Sequence, residues 1–282
     1  MKSFILLSLL IFLNISCSNF YYHPTKKIYI TPDKLGRDFV DFSFKNKEGL
    51  NIASWKILSN GKNRKNLIVQ FHGNAENMSS HMRSLIWLTK HNFDLITYDY
   101  RGYGESDGVP SPLAIREDSI LFLNKVYEEF KKDKYEKLIL IGQSLGGAVL
   151  MDALSFFEKR HEVDLLVLDS TFASYKSVGM RVLQKSWITY LFSPLSYVIA
   201  SNETAPIKRM EFLKMPKLVI HADGDPVVDF SEGKDLYESL TSPKEFWKIK
   251  SKSHIRVFFL DNKKFREKFI SFINYLKVTP LL

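Results

Sequence analysis

The 282-residue chain has few of the residues that several common architectures depend on. It contains one cysteine, which excludes a disulfide framework and a zinc site built from cysteines. No apolar run reaches the roughly 18 residues of a membrane-spanning helix, so a multi-span membrane protein is excluded. Internal repeats and low-complexity linkers are also missing. With 45% hydrophobic and 14% aromatic residues, the chain is neither disordered nor fibrous.

The charge is unbalanced, with 40 basic and 31 acidic residues and a formal net charge of +9. Such an excess can indicate binding to nucleic acid or to an anionic membrane surface. The lysines are scattered along the sequence rather than gathered into one stripe, which argues against nucleic acid as a partner. Neither a metal-ligand cluster nor a phosphate-binding loop appears in the sequence, so we expect no metal and no other cofactor.

The first seventeen residues have the pattern of a signal peptide. Met1 and Lys2 form a short positive start, and an apolar core of about ten residues covers Phe4–Leu13. This core is too short for a spanning helix, which needs roughly 20 apolar residues. Cys17 follows the core, where bacterial lipoprotein signals place the cysteine that receives the lipid. Residues 1–17 are therefore predicted to be a lipoprotein-type signal peptide, with Cys17 as the lipidation site.

This lipoprotein pattern is incomplete. The position three before the cysteine is usually Leu, but here it is Asn14, and Leu13 is one residue too early. An ordinary secretory signal and an uncleaved anchor are the alternatives. A lipid on Cys17 would anchor the protein to a membrane of the bacterial cell envelope, where its basic body would face anionic lipid. With a plain secretory signal the protein would be secreted or periplasmic.

The hydrophobic pattern downstream predicts an α/β fold. After a tether over residues 18–37, residues 38–58 alternate as in a β-hairpin with a glycine-containing turn at 45–49. From there, short apolar runs alternate with helical stretches. The predicted strands are Asn66–Phe71, Phe93–Asp99, Leu138–Ile141, Leu165–Asp169, Leu218–His221 and Glu245–Ile249, and the predicted helices cover a stretch ending at 90 and residues 112–130, 145–157, 231–240 and 263–276.

Continuous apolar strands that alternate with helices predict a mostly parallel, doubly wound sheet covered on both faces. Residues 38–282 are expected to form this one domain. Ligands of such sheets bind at the carboxyl ends of the strands. The residues that directly follow the strands are therefore the candidates for function.

A serine follows the strand Leu138–Ile141, in the segment GQSLG at residues 142–146. This is the pattern G-x-S-x-G in the context that a nucleophile elbow requires, which is a strand, a sharp turn and a helix. The turn strains Ser144 and exposes its hydroxyl, and the two glycines let the strand and helix approach closely. The N-terminus of the helix adds positive dipole where an oxyanion would form. We predict that Ser144 is a catalytic nucleophile.

A nucleophilic serine needs a general base, and the base needs a carboxylate that orients it. The chain order in a fold with this elbow is Ser, acid, His, which leaves His221 and His254 of the seven histidines. His221 ends a predicted strand, a position typical of a structural residue. His254 lies in the loop after the last strand, and we predict it to be the base.

Three aspartates are candidates for the acid. Asp223 and Asp225 lie in the loop after the strand Leu218–His221, and Asp169 ends an earlier strand. Asp-Gly is a turn signal, so one member of the pair can be a turn residue. The residues alone leave Asp225 and Asp223 open, with Asp169 as a weaker third.

The loop after Asn66–Phe71 reads HGNAEN over residues 72–77. One oxyanion donor in this fold is the backbone N–H after the nucleophile, and the other comes from this loop. We predict the N–H groups of Asn74 and Leu145, with Gly73 allowing close approach of the backbone. His72 precedes the serine and is expected to hold the loop together. In the next loop, we expect Arg101 to be paired inside the protein rather than to contact substrate.

Together these segments resemble the α/β-hydrolase superfamily. Within it, HGNA, YDYRGYGES, GQSLGG, HADGD and SHI resemble a branch of small serine esterases, lysophospholipase-like and serine-aminopeptidase-like proteins and depalmitoylases. The resemblance covers about residues 38–276. The family's H-G-x-x-D pattern falls on Asp225, with Ala222 in the place of the glycine, so the resemblance implies Asp225 as the acid. The family has Gly where this chain has Glu76, so the chain departs from the family pattern beside the second oxyanion donor.

The segment 170–216 is longer than one connecting helix requires, and its middle is rich in aromatic and aliphatic residues. It is predicted to be a helical cap over an apolar acyl pocket, or else a core helix pair without a substrate role. The sequence thus predicts a serine hydrolase that cleaves esters or thioesters of a small acyl or lipid-like substrate. The alternatives are an aminopeptidase-like amide hydrolase and a non-catalytic lipid-binding protein on the same fold.

Overall fold

The computed structural model describes residues 22–61, 66–184, 201–259 and 262–276. The predicted signal peptide, Cys17 and the first part of the tether lie outside the described residues, as do residues 185–200 of the predicted cap. Among the helices in the described ranges, none combines the length and apolar character needed to cross a bilayer.

An eight-stranded sheet forms the centre of the domain. Its strands are β1 (Phe39–Asp41), β2 (Ser54–Ile57), β3 (Asn66–Phe71), β4 (Phe93–Tyr98), β5 (Lys137–Gln143), β6 (Leu165–Asp169), β7 (Lys217–Ala222) and β8 (Lys244–Ile249). The spatial order is β8-β7-β6-β5-β3-β4-β2-β1. Strands β3 to β8 pair in parallel, while β1 and β2 add an antiparallel edge next to β4. The predicted mostly parallel sheet with an N-terminal hairpin is confirmed.

Helices cover both faces of this sheet. They are α1 (Pro112–Lys132), α2 (Leu145–Phe156), α3 (Tyr175–Gln184), α4 (Phe230–Ser239) and α5 (Lys263–Tyr275). Alternate residues of β3 belong to different apolar clusters, Leu67 and Val69 to one and Ile68 to the other. Both faces of the strand are therefore buried, which explains why its sequence is continuously apolar rather than alternating.

The connection between β3 and β4 is less regular than the predicted helix. It consists of one α-helical turn, Met78–His81, followed by 3₁₀ segments at Met82–Ser84 and Ile86–His91. Three side chains in it donate to carbonyls three residues earlier: Ser84 to His81 (2.9 Å), Trp87 to Ser84 (3.0 Å) and Thr89 to Ile86 (2.7 Å). These local side-chain bonds accompany the 3₁₀ geometry of the segment.

The N-terminal segment 22–37, predicted as part of a tether, packs on the domain. Tyr22 is buried, and His23–Pro24 pairs in parallel with Ala75–Glu76 of the loop after β3. The side-chain amide of Asn77 donates to the carbonyls of Thr25 and Lys27. This part of the chain therefore supports the loop at the carboxyl end of β3.

Candidate active site

The turn between β5 and α2 holds Ser144 in a strained backbone conformation. Its φ is 53° and its ψ is −123°, a region that residues with a side chain rarely adopt. The Ser144 N–H donates to the carbonyl of Asp169 at 2.9 Å, and the Thr171 hydroxyl donates to the Ser144 carbonyl at 2.6 Å. The end of the neighbouring strand β6 therefore fixes the position of Ser144 on both sides.

Two glycines make this turn possible. A Cβ on Gly142 would lie 2.5 Å from the Gly147 Cα, and a Cβ on Gly146 would lie 2.2 Å from the carbonyl oxygen of Phe71. Both contacts involve backbone atoms, which cannot rotate away as a side chain would. The strand β3, the elbow and the helix α2 thus come closer together than any other residue at these positions would permit.

Gly146→Ala is expected to destabilise the protein by about 3 kcal/mol, at the upper end of ordinary overpacking, because its methyl group would overlap the Phe71 carbonyl. Urea denaturation would measure the loss. The matched control is Gly36→Ala, since an added methyl at Gly36 meets nothing within 4 Å and costs only the strain of a positive φ of 67°. Equal effects of the two substitutions would contradict the close approach at the elbow.

A histidine and an aspartate from two further loops pair at the same edge of the sheet. The Nδ1–H of His254, after β8, donates to Oδ2 of Asp225, after β7, at 2.7 Å. The other oxygen of Asp225 accepts from the N–H groups of Val227 (2.8 Å) and Val228 (3.0 Å). Burial raises the pKa of Asp225, but these hydrogen bonds, first among them that from His254, outweigh it and hold the pKa below its usual value. Asp225 is therefore ionised at neutral pH.

The other two candidate acids lie elsewhere. Asp223 accepts from the backbone N–H of Ser251 at 3.2 Å and lies 3.7 Å from the ammonium group of Lys248, so it closes a turn at the surface. The buried Asp169 accepts from the Gln143 amide at 3.1 Å and from the Ser170 hydroxyl at 3.1 Å. In the described part of the chain, Asp225 forms a hydrogen bond with His254, and neither Asp223 nor Asp169 does.

The loop that carries His254 is tied to the strand that fixes Ser144. The N–H of Ile255 lies 3.4 Å from the hydroxyl of Ser170, the residue directly after Asp169. Within the described residues, the Ser144 hydroxyl donates no hydrogen bond to His254. Such bonds are commonly long in ligand-free sites and shorten when substrate is bound.

The two candidate oxyanion donors follow β3 and β5. Leu145 is the first residue of α2, and the first N–H groups of a helix have no acceptor within it. The Asn74 side-chain oxygen accepts from the His23 N–H at 3.0 Å and from the Tyr103 hydroxyl at 2.8 Å. A Cβ on Gly73 would lie 3.6 Å from the Ser144 Cβ, so this loop passes beside the serine.

The carboxylate of Glu76 accepts a hydrogen bond from the Ser80 hydroxyl in the first turn of the following helical segment. Glu76 itself has a φ of 65°, a conformation that glycine adopts without strain. Glu76 therefore replaces the family's glycine with local backbone strain, and its carboxylate is bonded to Ser80.

Three polar residues singled out in the sequence are structural. The fully buried His72 donates from Nδ1 to the Gly73 carbonyl at 2.7 Å, and the fully buried His221 donates from Nε2 to the Val228 carbonyl at 3.0 Å. Arg101 forms two hydrogen bonds with Asp118, at 2.7 and 2.9 Å, and also contacts Glu48. His72 thus holds its own loop, His221 on β7 is structural, and Arg101 is paired within the protein, as the sequence predicted for each.

The sequence did not single out His81, although it lies near the serine. Its Cε1 would be 3.1 Å from a Cβ on Gly73, and its Nε2–H donates to the Ala75 carbonyl at 2.8 Å. Burial, and then the neighbouring His72, lower the pKa of His81 to about 3, so its ring is neutral. No pattern around residue 81 marks it, because its position depends on the irregular connection after β3.

Asp169 is expected to make stability depend on pH. Burial raises the pKa of Asp169 from 3.8 to about 6. Between these two pH values, the folded protein retains a proton that the unfolded chain has lost. This contribution is fully present below pH 3.8 and is lost as the pH rises through about 6. In the wild type, this titration should lower the free energy of unfolding by roughly 2–3 kcal/mol between pH 4 and 7.5, and Asp169→Asn should abolish that decrease. Urea denaturation at both pH values measures it.

The control for this experiment is Glu238→Gln, which removes an exposed carboxylate on α4. Each variant removes one carboxylate, so a pH dependence that is lost in Asp169→Asn and kept in Glu238→Gln belongs to the buried position. If Asp169→Asn kept the fall between pH 4 and 7.5, Asp169 would not be the buried group that retains the proton.

Comparison with known proteins places these observations in a family. A family model described as serine aminopeptidase, S33 matches residues 62–209. Protein YfhR of Escherichia coli K12 is 31% identical over 243 residues, which are 85% of this chain and 81% of YfhR. The lysophosphatidylserine lipase ABHD12 of Rattus norvegicus is 28% identical over 189 residues, which are 64% of this chain and 46% of the lipase.

A solved structure supports the fold independently. The esterase Pf2001 of Pyrococcus furiosus superposes with a TM-score of 0.66 at 20% sequence identity, over 90% of this chain and 95% of the esterase. At this level of identity the likeness shows the fold alone. The family match over residues 62–209 and the similarity to YfhR are more specific. The chain is therefore a hydrolase that belongs to the serine aminopeptidase S33 family of the α/β-hydrolase superfamily.

Proposed function

We propose that the protein is a serine hydrolase that cleaves carboxylic esters through an acyl-enzyme on Ser144, with Asp225 and His254 completing a catalytic triad. The observation that carries this proposal is the 2.7 Å hydrogen bond between His254 Nδ1 and Asp225 Oδ2, at the sheet edge where the strained elbow presents Ser144. The order Ser144, Asp225, His254 along the chain is that of this fold.

The hydrogen bond to Asp225 determines which nitrogen of His254 can act as the base. Because Nδ1 carries the proton that it donates to Asp225, Nε2 is free to accept the proton of the Ser144 hydroxyl. The serine oxygen then attacks the ester carbonyl, and the ionised Asp225 stabilises the imidazolium that forms. The same proton passes from Nε2 to the leaving alcohol, and water repeats the sequence to release the acid.

Backbone N–H groups would stabilise the negative charge on the carbonyl oxygen. We assign this role to Leu145, at the N-terminus of α2, and to Asn74, in the loop that passes beside Ser144. The hydrogen bonds from His23 and Tyr103 to the Asn74 side chain hold that loop in place. The N-terminal segment therefore contributes to the site through the position of the loop.

The substrate that we favour is an ester of an apolar acyl chain. One relative acts on a lipid by name, the lysophosphatidylserine lipase ABHD12, and one structural neighbour is an esterase. The segment 170–216 of this chain is rich in aromatic and aliphatic residues, which suits an acyl pocket. A thioester of the same acyl group would react by the same steps.

Amide cleavage is the second candidate, because the matching family model is described as a serine aminopeptidase. An aminopeptidase needs a group that binds the ammonium group of its substrate. Of the described carboxylates beside the elbow, Asp169 is buried and engaged by Gln143 and Ser170, and Glu76 is bonded to Ser80. Neither is oriented by its contacts toward a bound amine, so the ester proposal is preferred.

Two assays test the proposal. A fluorophosphonate probe should label the protein at Ser144, as located by peptide mass spectrometry, whereas a non-catalytic binding protein would stay unlabelled. A series of p-nitrophenyl esters from acetate to palmitate, run beside aminoacyl p-nitroanilides, then identifies the bond that is cleaved. Cleavage of the anilides alone would show that the ester assignment is wrong.

We also propose that the protein is a lipoprotein of the bacterial cell envelope, anchored through Cys17. The support is the position of the single cysteine directly after the apolar core Phe4–Leu13. Metabolic labelling with a radioactive fatty acid in a bacterial host should label the wild type and not Cys17→Ser. Label retained in the variant would contradict lipidation at this residue.

A further inference from the structure

A groove of about 590 Å³ lies away from the serine, where three segments meet. Its walls are the N-terminal segment around Leu35 and Arg37, the 3₁₀ stretch Ile86–His91 with the preceding Arg83, and the first two turns of α5. None of Ser144, Asp225 and His254 lines it. The volume lies within the range of roughly 300–1,000 Å³ that is typical of small-molecule sites.

The rim of this groove is strongly cationic. Of the described residues that line it, five are basic, Arg37, Arg83, Lys90, Lys263 and Arg266, and one is acidic, Glu267. Glu267 lies 3.7 Å from the Lys263 ammonium group. In the part of the chain that the structure describes, Arg37, Arg83 and Lys90 form no ion pair with an acidic residue. Within the described residues, these three positive charges have no acidic partner.

The floor of the groove is apolar. We call its apolar lining residues the floor; they are Leu35, Ile86, Trp87 and Ile270, of which Trp87 is buried and the other three are half-buried. The Arg266 guanidinium lies 4.8 Å from the centre of the Trp87 ring, and Arg266 Nε donates to the Phe258 carbonyl at 2.9 Å. These two contacts fix an arginine at the boundary between the apolar floor and the charged rim.

We propose that this groove binds the headgroup region of an anionic phospholipid. The phosphate would pair with cations of the rim, while the glycerol backbone and the first carbons of the acyl chains would cover the apolar floor. A small inorganic anion would satisfy the charges but leave the floor exposed to water. A zwitterionic phospholipid would cover the floor, but its cationic group would oppose the rim. An anionic phospholipid satisfies both parts.

The test uses the full-length chain with Ser144→Ala, so that hydrolysis cannot consume the ligand. The probe is dihexanoyl phosphatidylglycerol below its micelle concentration, titrated by isothermal calorimetry. Dihexanoyl phosphatidylcholine and inorganic phosphate are titrated in parallel. We expect phosphatidylglycerol to bind at least about tenfold more tightly than either, with an affinity that falls as salt rises. Equal binding of phosphatidylcholine, or of phosphate alone, would overturn the proposal.

The variant Arg83→Glu/Lys90→Glu reverses two exposed rim charges and should weaken the binding of phosphatidylglycerol by at least about tenfold. The matched control is Lys159→Glu/Lys234→Glu, which reverses two exposed lysines that do not line the groove and should leave that binding unchanged. If both variants weakened the binding of phosphatidylglycerol equally, the effect would come from net charge, and a site in the groove would be contradicted. Both variants should retain ester hydrolysis when Ser144 is restored, which separates this proposal from the catalytic one.

Discussion

Ser144→Ala is expected to lower kcat/KM for p-nitrophenyl butyrate by roughly 10⁵–10⁶-fold. The variant keeps the elbow but lacks the oxygen that forms the acyl-enzyme, so only binding and oxyanion stabilisation would remain to accelerate the reaction. Labelling by a fluorophosphonate should disappear together with hydrolysis. Steady-state kinetics and in-gel fluorescence measure the two effects on the same preparation.

The matched control for this variant is Ser155→Ala in α2. Ser155 is as exposed as Ser144, at 8%, and its hydroxyl donates to the Asp152 carbonyl within the same helix. Its removal should change kcat/KM by less than about threefold. If the Ser144→Ala variant still hydrolysed the ester at a substantial fraction of the wild-type rate, the nucleophile would be another residue.

Asp225→Asn is expected to lower kcat/KM by about 10⁴-fold while the protein remains folded. The amide can offer its NH₂ to His254 Nδ1, and the ring would then carry its proton on Nε2, where it cannot accept one from Ser144. The negative charge that stabilises the imidazolium would be lost as well. Steady-state kinetics with the same ester, supported by circular dichroism of the variant, measures the effect.

Asp223→Asn is the control, and it resolves the choice between acids that the residues alone left open. Asp223 contacts Ser251 and Lys248 rather than His254, so its substitution should change kcat/KM by less than about threefold. A large loss in Asp223→Asn together with a small one in Asp225→Asn would reverse the assignment. Similar moderate losses in both would mean that the loop, rather than one carboxylate, is what matters.

The strands of the core illustrate what could be predicted locally. The observed bounds of β3 and β6 coincide with the predicted Asn66–Phe71 and Leu165–Asp169. These strands are buried on both faces, so their apolar character starts and stops with the strand itself. The elbow could also be predicted. Backbone contacts require glycine at Gly142 and Gly146, and this requirement appears in the sequence as a fixed spacing around Ser144.

Features that depend on packing between distant segments could not be predicted from the sequence in this way. The pairing of His23–Pro24 with the loop after β3 joins residues about fifty positions apart, and nothing in a tether-like sequence indicates it. His81 lies in the short helical turn Met78–His81, where its ring bonds to the Ala75 carbonyl and packs against Gly73, and no local pattern indicates this. The cationic groove likewise joins residues around positions 35, 85 and 267.

The sequence by itself determined the fold class, the nucleophile elbow and the chain order of the candidate triad. The first two are indicated by short segments, as apolar runs or as glycines at a set distance from one serine, and the chain order follows from the fold. The tertiary structure decided that Asp225 rather than Asp223 contacts His254, and it brought the N-terminal segment onto the loop after β3. The physical reason is that such contacts depend on the distance and direction between side chains from separate strands and loops, which only the packed sheet and its helices define.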